Sequence, residues 1–437
     1  MGKVMKKLAD EARTLDQEDD LSRFRDEFCI PVQDDGSDLH YFCGHSLGLQ
    51  PRAVESVIRE ELQAWSQRAV RGHFEGSLPW MEYSNELRPQ LAQLAGARPG
   101  EIAVMNTLTV NLHLLMVSFY RPQGARRKIL IEKHAFPSDR YAVESQIRFH
   151  GLDPSECLVE LEATPGHRLI DERNVEEFLE QNGDEIALVL WPGVQYATGQ
   201  AFDLKRIAQA VRRGGSKCGF DLAHAIGNLP LSLHDSGCDF AAWCHYKYLN
   251  AGPGAIAGCF VHERHHERND LARFNGWWGN DAASRFEMGP DFAPAAGADA
   301  WQLSNPPILS MAPLRASLEL FREAGMTRLR SKSMQMTAYL VDGINSQLGD
   351  MLEIISPADP QRRGCQLSIR VREGHEKGRQ LFRYLEMHGV LTDWREPDVI
   401  RVAPAPLYNR YEDCFQLLRH MSDWSEAIDI PGYGSVS

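Results

Sequence analysis

The sequence has no Cys-x-x-Cys pair, no long apolar run, no internal repeat and no excess of basic charge, and each absence excludes something. Nine cysteines are scattered through 437 residues. Without paired spacing they are expected as reduced thiols packed as small apolar side chains, with Cys238, Cys244 and Cys259 in apolar stretches; no metal is called for. No uninterrupted apolar run reaches the roughly eighteen residues of a membrane span. Residues 1–20 are charged throughout and lack the apolar core of a secretory signal. Lys6 stands where N-myristoylation wants Ser or Thr. The expected compartment is the cytoplasm, with no membrane partner. Lys and Arg number 47 against 60 Asp and Glu, a net charge of −13. Basic clusters such as Arg126-Arg127-Lys128 are short, which argues against nucleic acid as a partner.

What is present is an ordinary globular balance, 43% hydrophobic and 24% charged residues, which excludes disorder for the bulk of the chain. The length allows two or three domains of about 150 residues each. Residues 1–30 read as a polar helical lead-in. Val54, Val57, Ile58, Leu62 and Trp65 recur at helical spacing after Pro51. From about 95 to 262, short apolar runs alternate with helical stretches. The runs 128–132, 186–191, 217–221, 240–243 and 255–261 read as strands, and 110–119, 140–150, 175–181 and 204–213 as helices. This alternation predicts an α/β fold with a mainly parallel sheet covered by helices. Ligands gather at the carboxyl ends of such strands. Residues 265–310 are loop-heavy, and a long helix is expected over 313–348. Strands at 366–372 and 398–402 and a helix at 377–387 suggest a smaller α+β domain.

The densest polar signal is Gly219-Phe220-Asp221-Leu222-Ala223-His224-Ala225, at the end of an apolar run. Lys247 follows 26 positions after Asp221, between aromatic residues and before a glycine-rich turn. Desolvation disfavours an ammonium, and a neutral amine is what Schiff-base chemistry requires. An acidic residue at a preceding strand end suits a protonated pyridine nitrogen, the ion pair that makes pyridoxal phosphate an electron sink. Taken singly, a lysine is usually a solvated charge and a strand-end aspartate usually a helix cap. Phe136, Leu108 and Trp277 would by default be core residues, and Arg401 a surface arginine.

The ordered set of segments resembles the kynureninase family, pyridoxal-phosphate enzymes of the type I aminotransferase fold. It comprises Ser46-Leu47-Gly48-Leu49-Gln50-Pro51, Met105 to His113, Ala135-Phe136-Pro137-Ser138-Asp139, Phe220 to Ala225, Tyr246 to Gly252, Gly276-Trp277 and Ser304-Asn305-Pro306-Pro307. The resemblance runs from about residue 40 to about 410. It implies a seven-stranded, mainly parallel sheet in a large cofactor-binding domain over 71–312. A small C-terminal α+β domain would span 313–437, with an N-terminal arm and helices over 1–70 belonging to it. It also implies cleavage of L-kynurenine or 3-hydroxy-L-kynurenine to anthranilate or 3-hydroxyanthranilate and L-alanine, in tryptophan catabolism and NAD biosynthesis.

By that resemblance, pyridoxal 5'-phosphate is the cofactor, Lys247 carries it and shuttles protons, and Asp221 pairs with the ring nitrogen. His224 lies beside it, Phe136 stacks on the ring, and Pro137, Ser138 and Asp139 belong to the same loop. Leu108 and Thr109 hold the phosphate at a helix start. Tyr246 contacts phosphate and assists proton transfer. Trp277 and Asn305 complete the cofactor set, coming from the neighbouring subunit of a homodimer. Arg401 holds the substrate α-carboxylate, and His73 meets the aromatic end of the substrate.

Two positions depart from the family pattern. His45 stands where Asn is frequent, and Pro192 where a hydroxyl residue is frequent, so a side-chain hydrogen bond to the cofactor is lost there; Thr198 is nearby. An Asp…Lys pair fits many enzymes of this fold. An aminotransferase, a cysteine desulfurase and a catalytically silent scaffold are the competing readings. A desulfurase needs a mobile catalytic cysteine; no cysteine stands in such a loop motif, Cys365 being the one left open.

Overall fold

Parallel strands covered on both faces need continuous apolar runs, and the runs in the middle of this chain fold accordingly. The computed structural model describes residues 2–268 and 270–428. These form two compact units: 54–195 with 202–319, and the described parts of 1–53, 196–201 and 320–437.

The larger unit holds seven strands: β1 (Ile102–Val104), β2 (Lys128–Glu132), β3 (Leu158–Leu161), β4 (Ile186–Pro192), β5 (Lys217–Asp221), β6 (Phe240–Cys244) and β7 (Ala257–Val261). Their order is β1-β7-β6-β5-β4-β2-β3. β3, β2, β4, β5 and β6 pair in parallel. β7 runs antiparallel to both its neighbours. Every residue of β6 and β7 is buried. Helices Leu108–Phe119, Pro137–Phe149, Glu172–Asn182 and Leu204–Arg213 lie between strands in the chain, as crossover connections require. Leu112, Leu115 and Phe119 pack with Ile129, Val143, Ile147, Phe240 and Trp301 in one core. The fold is the expected α/β type. The short β1 and β3 are not apolar runs long enough to read from the sequence.

Helix Ala53–Arg68 departs from its apolar stripe. Val54, Val57 and Glu61 are buried, whereas Leu62 and Trp65 are exposed. Glu61 is drawn inward by Trp80, whose Nε1 donates to it at 2.8 Å, and by Arg315 at 3.7 Å.

The smaller unit carries four antiparallel strands, β8 (Leu352–Ile354), β9 (Leu367–Val371), β10 (Asp393–Arg395) and β11 (Val399–Val402), in the order β10-β11-β9-β8. The lead-in helix Lys3–Glu18 buries Met5, Leu8, Ala9 and Ala12. These join Met336, Leu340, Ile369, Leu381, Ile400 and Leu418 in the core. The long helix expected over 313–348 is two, Ile308–Ala324 and Met326–Gln347. Gly325 separates them at φ +76°, a conformation that glycine takes without the Cβ penalty.

Candidate active site

Asp221 closes β5 and is buried; its Oδ1 accepts the backbone N–H of Ala223 at 2.7 Å. That bond tightens the turn after the strand and brings His224 round, also buried. Asn228 donates to the His224 carbonyl at 2.9 Å and fixes the turn from the far side. His224 Nε2 lies 3.1 Å from Lys247 Nζ.

Lys247 follows β6 in a turn held by two backbone bonds, Asn250 N–H to Lys247 O at 2.9 Å and Ala251 N–H to His245 O at 3.0 Å. Asn250 takes a left-handed conformation, φ +50°, which Asn tolerates better than most residues. Beneath the turn, His245 is fully buried. Its Nε2 receives the Trp243 indole N–H at 2.8 Å, and its Nδ1 reaches the Ile256 carbonyl at 2.7 Å. One neutral tautomer satisfies both contacts, and burial pushes this imidazole down to about 4.

The Lys247 Nζ sits 5.8 Å from the ring centre of Phe136 and 5.9 Å from that of Tyr246. Burial, then the neighbouring Cys244, drives the Tyr246 hydroxyl well above its ordinary value. Phe136 caps helix Pro137–Phe149, with Pro137 as its first residue, where a missing N–H costs nothing. Ser138 and Asp139 follow in the first turn. Ser138 Oγ lies 2.8 Å from Thr109 Oγ1, which ties this loop to the start of helix Leu108–Phe119. That helix has no acidic residue in its first turn and no side-chain cap from Thr107. Its first N–H groups therefore face outward unpaired by the helix, a ready seat for an anion.

Asp139 is buried, and its carboxyl is pushed well above the usual range, first by burial and then by the charge of Asp221; Lys247 opposes the shift. Its Oδ1 has no hydrogen-bond partner. Glu132, at the end of β2, is buried, and burial first, then the charge of Asp221, pushes its carboxyl well above the usual range. Buried carboxylates of one sign call for a cation or a shared proton.

These features fit pyridoxal phosphate. The carboxylate pair suits a protonated ring nitrogen, Phe136 offers an aromatic face, Lys247 an amine, and the helix start with Thr109 and Ser138 a phosphate seat.

The structure thus brings together Lys247, His224, Tyr246, Phe136 and, through Asp139, Asp221. Thr109 and Ser138 join at the edge. Trp277 is exposed and packs on Phe286 at 5.3 Å; Phe74 reaches Phe286 at 6.0 Å, and His73 packs on Trp80 at 5.2 Å. Asn305 is exposed. Pro192 ends β4 in register with Asp221, so the departure from the family pattern stands at the strand end beside the site. The Thr198 hydroxyl accepts the Gln200 N–H at 3.2 Å within its own turn.

In the smaller unit, Arg401 is not a surface arginine; it is 1% exposed, paired with Asp393. Cys365 is also buried, unlike a mobile loop cysteine. Sequence reading missed Glu132, His245 and Asp393. Glu132 had a signal, a polar residue closing an apolar run. The other two had none, since their roles come from partners elsewhere in the chain.

A family model described as the kynureninase C-terminal domain matches residues 329–421. The kynureninase of Stenotrophomonas maltophilia (strain K279a) is 56% identical over 414 residues, 95% of this chain and 97% of that one. The kynureninase of Xanthomonas campestris pv. campestris (strain B100) is 56% identical over 416 residues, 95% and 98% of the two chains. Among solved structures, an apo cysteine desulfurase from Thermococcus onnurineus NA1 superposes with a TM-score of 0.75 at 16% identity, over 93% of this chain and 98% of that one. A C-DES variant with glycine covalently linked to its PLP cofactor gives 0.74 at 19% identity, over 91% and 99%. At such identities the superpositions speak for the fold alone.

Proposed function

The chain belongs to the kynureninase family and is an enzyme of the pyridoxal-phosphate-dependent type; we propose that it hydrolyses the Cβ–Cγ bond of L-kynurenine or its 3-hydroxy form. Water adds to the side-chain ketone, its carbon leaves with the aryl group as anthranilate or 3-hydroxyanthranilate, and Cβ takes a proton to complete L-alanine. The observation that carries the reading is the Lys247 amine 3.1 Å from His224, beside the Phe136 face and the Asp139–Asp221 carboxylates.

Pyridoxal phosphate, when bound, supplies an electron sink for the substrate α-carbon. Lys247 removes and returns the proton at that carbon, and His224 Nε2 is the adjacent group with which its amine shares hydrogen. Asp221, with Asp139 beside it, holds a proton on the ring nitrogen. Tyr246, its ring centre 5.9 Å from the Lys247 nitrogen, assists proton transfer to Cβ. Leu108, Thr109 and Ser138 bind phosphate, and Pro137 aims the turn that presents Ser138 and Asp139. Arg401 takes the substrate α-carboxylate, the ligand its planar fork suits. His73, edge-on to Trp80, meets the substrate's aromatic end.

The exposed Trp277 and Asn305 serve a neighbouring subunit in a homodimer; the exposed aromatic rings of Phe74, Trp277 and Phe286 support such an interface. Among the described residues no helix is long and apolar enough to cross a membrane, and nine cysteines without Cys-x-x-Cys spacing suit a reducing cytoplasm.

Fluorescent anthranilate release from L-kynurenine and pyridoxal phosphate tests the proposal, with 3-hydroxykynurenine run in parallel for preference. Release is expected, and Lys247→Ala abolishes it. A protein that turns yellow with cofactor yet releases nothing would sink the substrate assignment and bring its same-fold rivals forward.

A further inference from the structure

Arg401 on β11 stands opposite Asp393 on β10 within the smaller unit. The side-on edge of the guanidinium is gripped by one carboxylate. Nε donates to Asp393 Oδ1 at 3.2 Å, and Nη2 lies 2.8 Å from Oδ2. The end-on edge meets no carboxylate among these contacts. Nη1 donates to the Tyr196 carbonyl at 2.8 Å, while Nη2 reaches Ser46 Oγ at 3.4 Å. Ser46 makes its shorter bond elsewhere, donating to Asp393 Oδ2 at 2.6 Å. Arg395 Nη2 also lies 3.1 Å from that oxygen, and His45 Nε2 lies 3.8 Å from it.

Two guanidinium groups thus converge on the Asp393 carboxylate, Arg401 buried and Arg395 partly exposed. The Ser46 hydroxyl makes the longest of these contacts to Arg401, and a 3.4 Å approach contributes little.

We propose that Asp393 is the positioning residue for carboxylate recognition: it clamps the side-on edge of Arg401 and presents the end-on edge to the α-carboxylate of the substrate amino acid. This rests on the reading of Arg401 as the carboxylate-binding residue. Asp393 acts through Arg401 and touches no reacting atom. A planar fork fixed along one edge has a single orientation in which the other edge can accept a bidentate ligand.

The test uses the holoenzyme and two probes that differ only at the carboxylate, L-alanine and L-alaninol, bound at equilibrium and followed by the cofactor's absorbance, together with steady-state kinetics on L-kynurenine. Asp393→Asn is expected to weaken L-alanine and raise KM by about 10- to 100-fold. It leaves L-alaninol binding and kcat within about threefold, and Asp393→Glu restores part of the loss. Unchanged L-alanine binding in Asp393→Asn, with binding lost in Arg401→Gln, overturns the role of Asp393 and leaves Arg401 standing. Unchanged binding in Arg401→Gln overturns the reading of Arg401 itself. Equal weakening of both probes marks Asp393 as merely structural and also overturns the proposal. If Asp393→Asn does not fold, Asp393→Glu carries the same comparison: L-alanine weakened more than L-alaninol, or the proposal fails.

Discussion

Acidification acts on the Lys247 turn through His245. In the folded protein its imidazole titrates at about 4, against about 6.5 in an unfolded chain. The folded value is depressed, so the unfolded state binds the extra proton first. Stability from this group is complete above the unfolded value and is lost as pH falls from about 6.5 towards 4. At pH 7.5 both states are neutral and the loss is close to nothing. At pH 5.0 the unfolded imidazole is nearly all charged and the folded one nearly all neutral, a loss of about 2 kcal/mol by proton linkage. The local geometry gives the reason. A proton on Nε2 would face the Trp243 N–H across 2.8 Å, donor against donor, in a site without water access. His245→Gln provides the control, since its amide can accept from Trp243 and donate to the Ile256 carbonyl without titrating. Urea unfolding followed by far-UV circular dichroism, at pH 7.5 and 5.0, compares the two proteins. Wild type should lose about 2 kcal/mol more than His245→Gln over that interval; other titrating groups cancel in the difference. Equal losses in the two proteins would refute the reasoning.

Three further outcomes are expected. Asp221→Ala removes the acceptor of the Ala223 N–H and the carboxylate proposed to hold the proton on the ring nitrogen, and anthranilate release should fall by about 100-fold or more. Glu101→Gln should destabilise by about 2 kcal/mol in thermal or urea unfolding, because the buried carboxylate accepts the backbone N–H groups of Arg98 and Glu263 and faces His234 at 2.9 Å, and an amide turns one acceptor into a donor. Gly96→Ala should lower the melting temperature by several degrees or prevent folding: the residue ends helix Tyr83–Ala95 at φ +59°, and a Cβ there would collide with the Leu231 carbonyl oxygen.

The strands most legible in the sequence are those buried on both faces, because continuous apolar runs have no other use in a helix-covered sheet. Lys217–Asp221 and Lys128–Glu132 were readable to the residue for that reason, and so was the rule that sends chemistry to their ends. That rule made Asp221, His224 and Lys247 the candidates, in order along the chain. Helix Leu204–Arg213 was equally plain. The break at Gly325 was not, since a glycine within a helical pattern is as often tolerated as not.

What tertiary structure alone decided are the pairings between residues distant in sequence. Composition could not show that Arg401 is buried, because only the register of two antiparallel strands sets it opposite Asp393. Glu61 took a place in the helix interior face that Leu62 and Trp65 were expected to share, because Trp80 and Arg315 offered it partners. The neutral state of His245 depends on Trp243 and Ile256 reaching both ring nitrogens at once. Local pattern determines which segments become strands and helices, since backbone bonding and side-chain period are short-range. Burial, charge state and hydrogen-bond partnership belong to the assembled fold, because each is set by groups that the chain brings together only after its elements have packed.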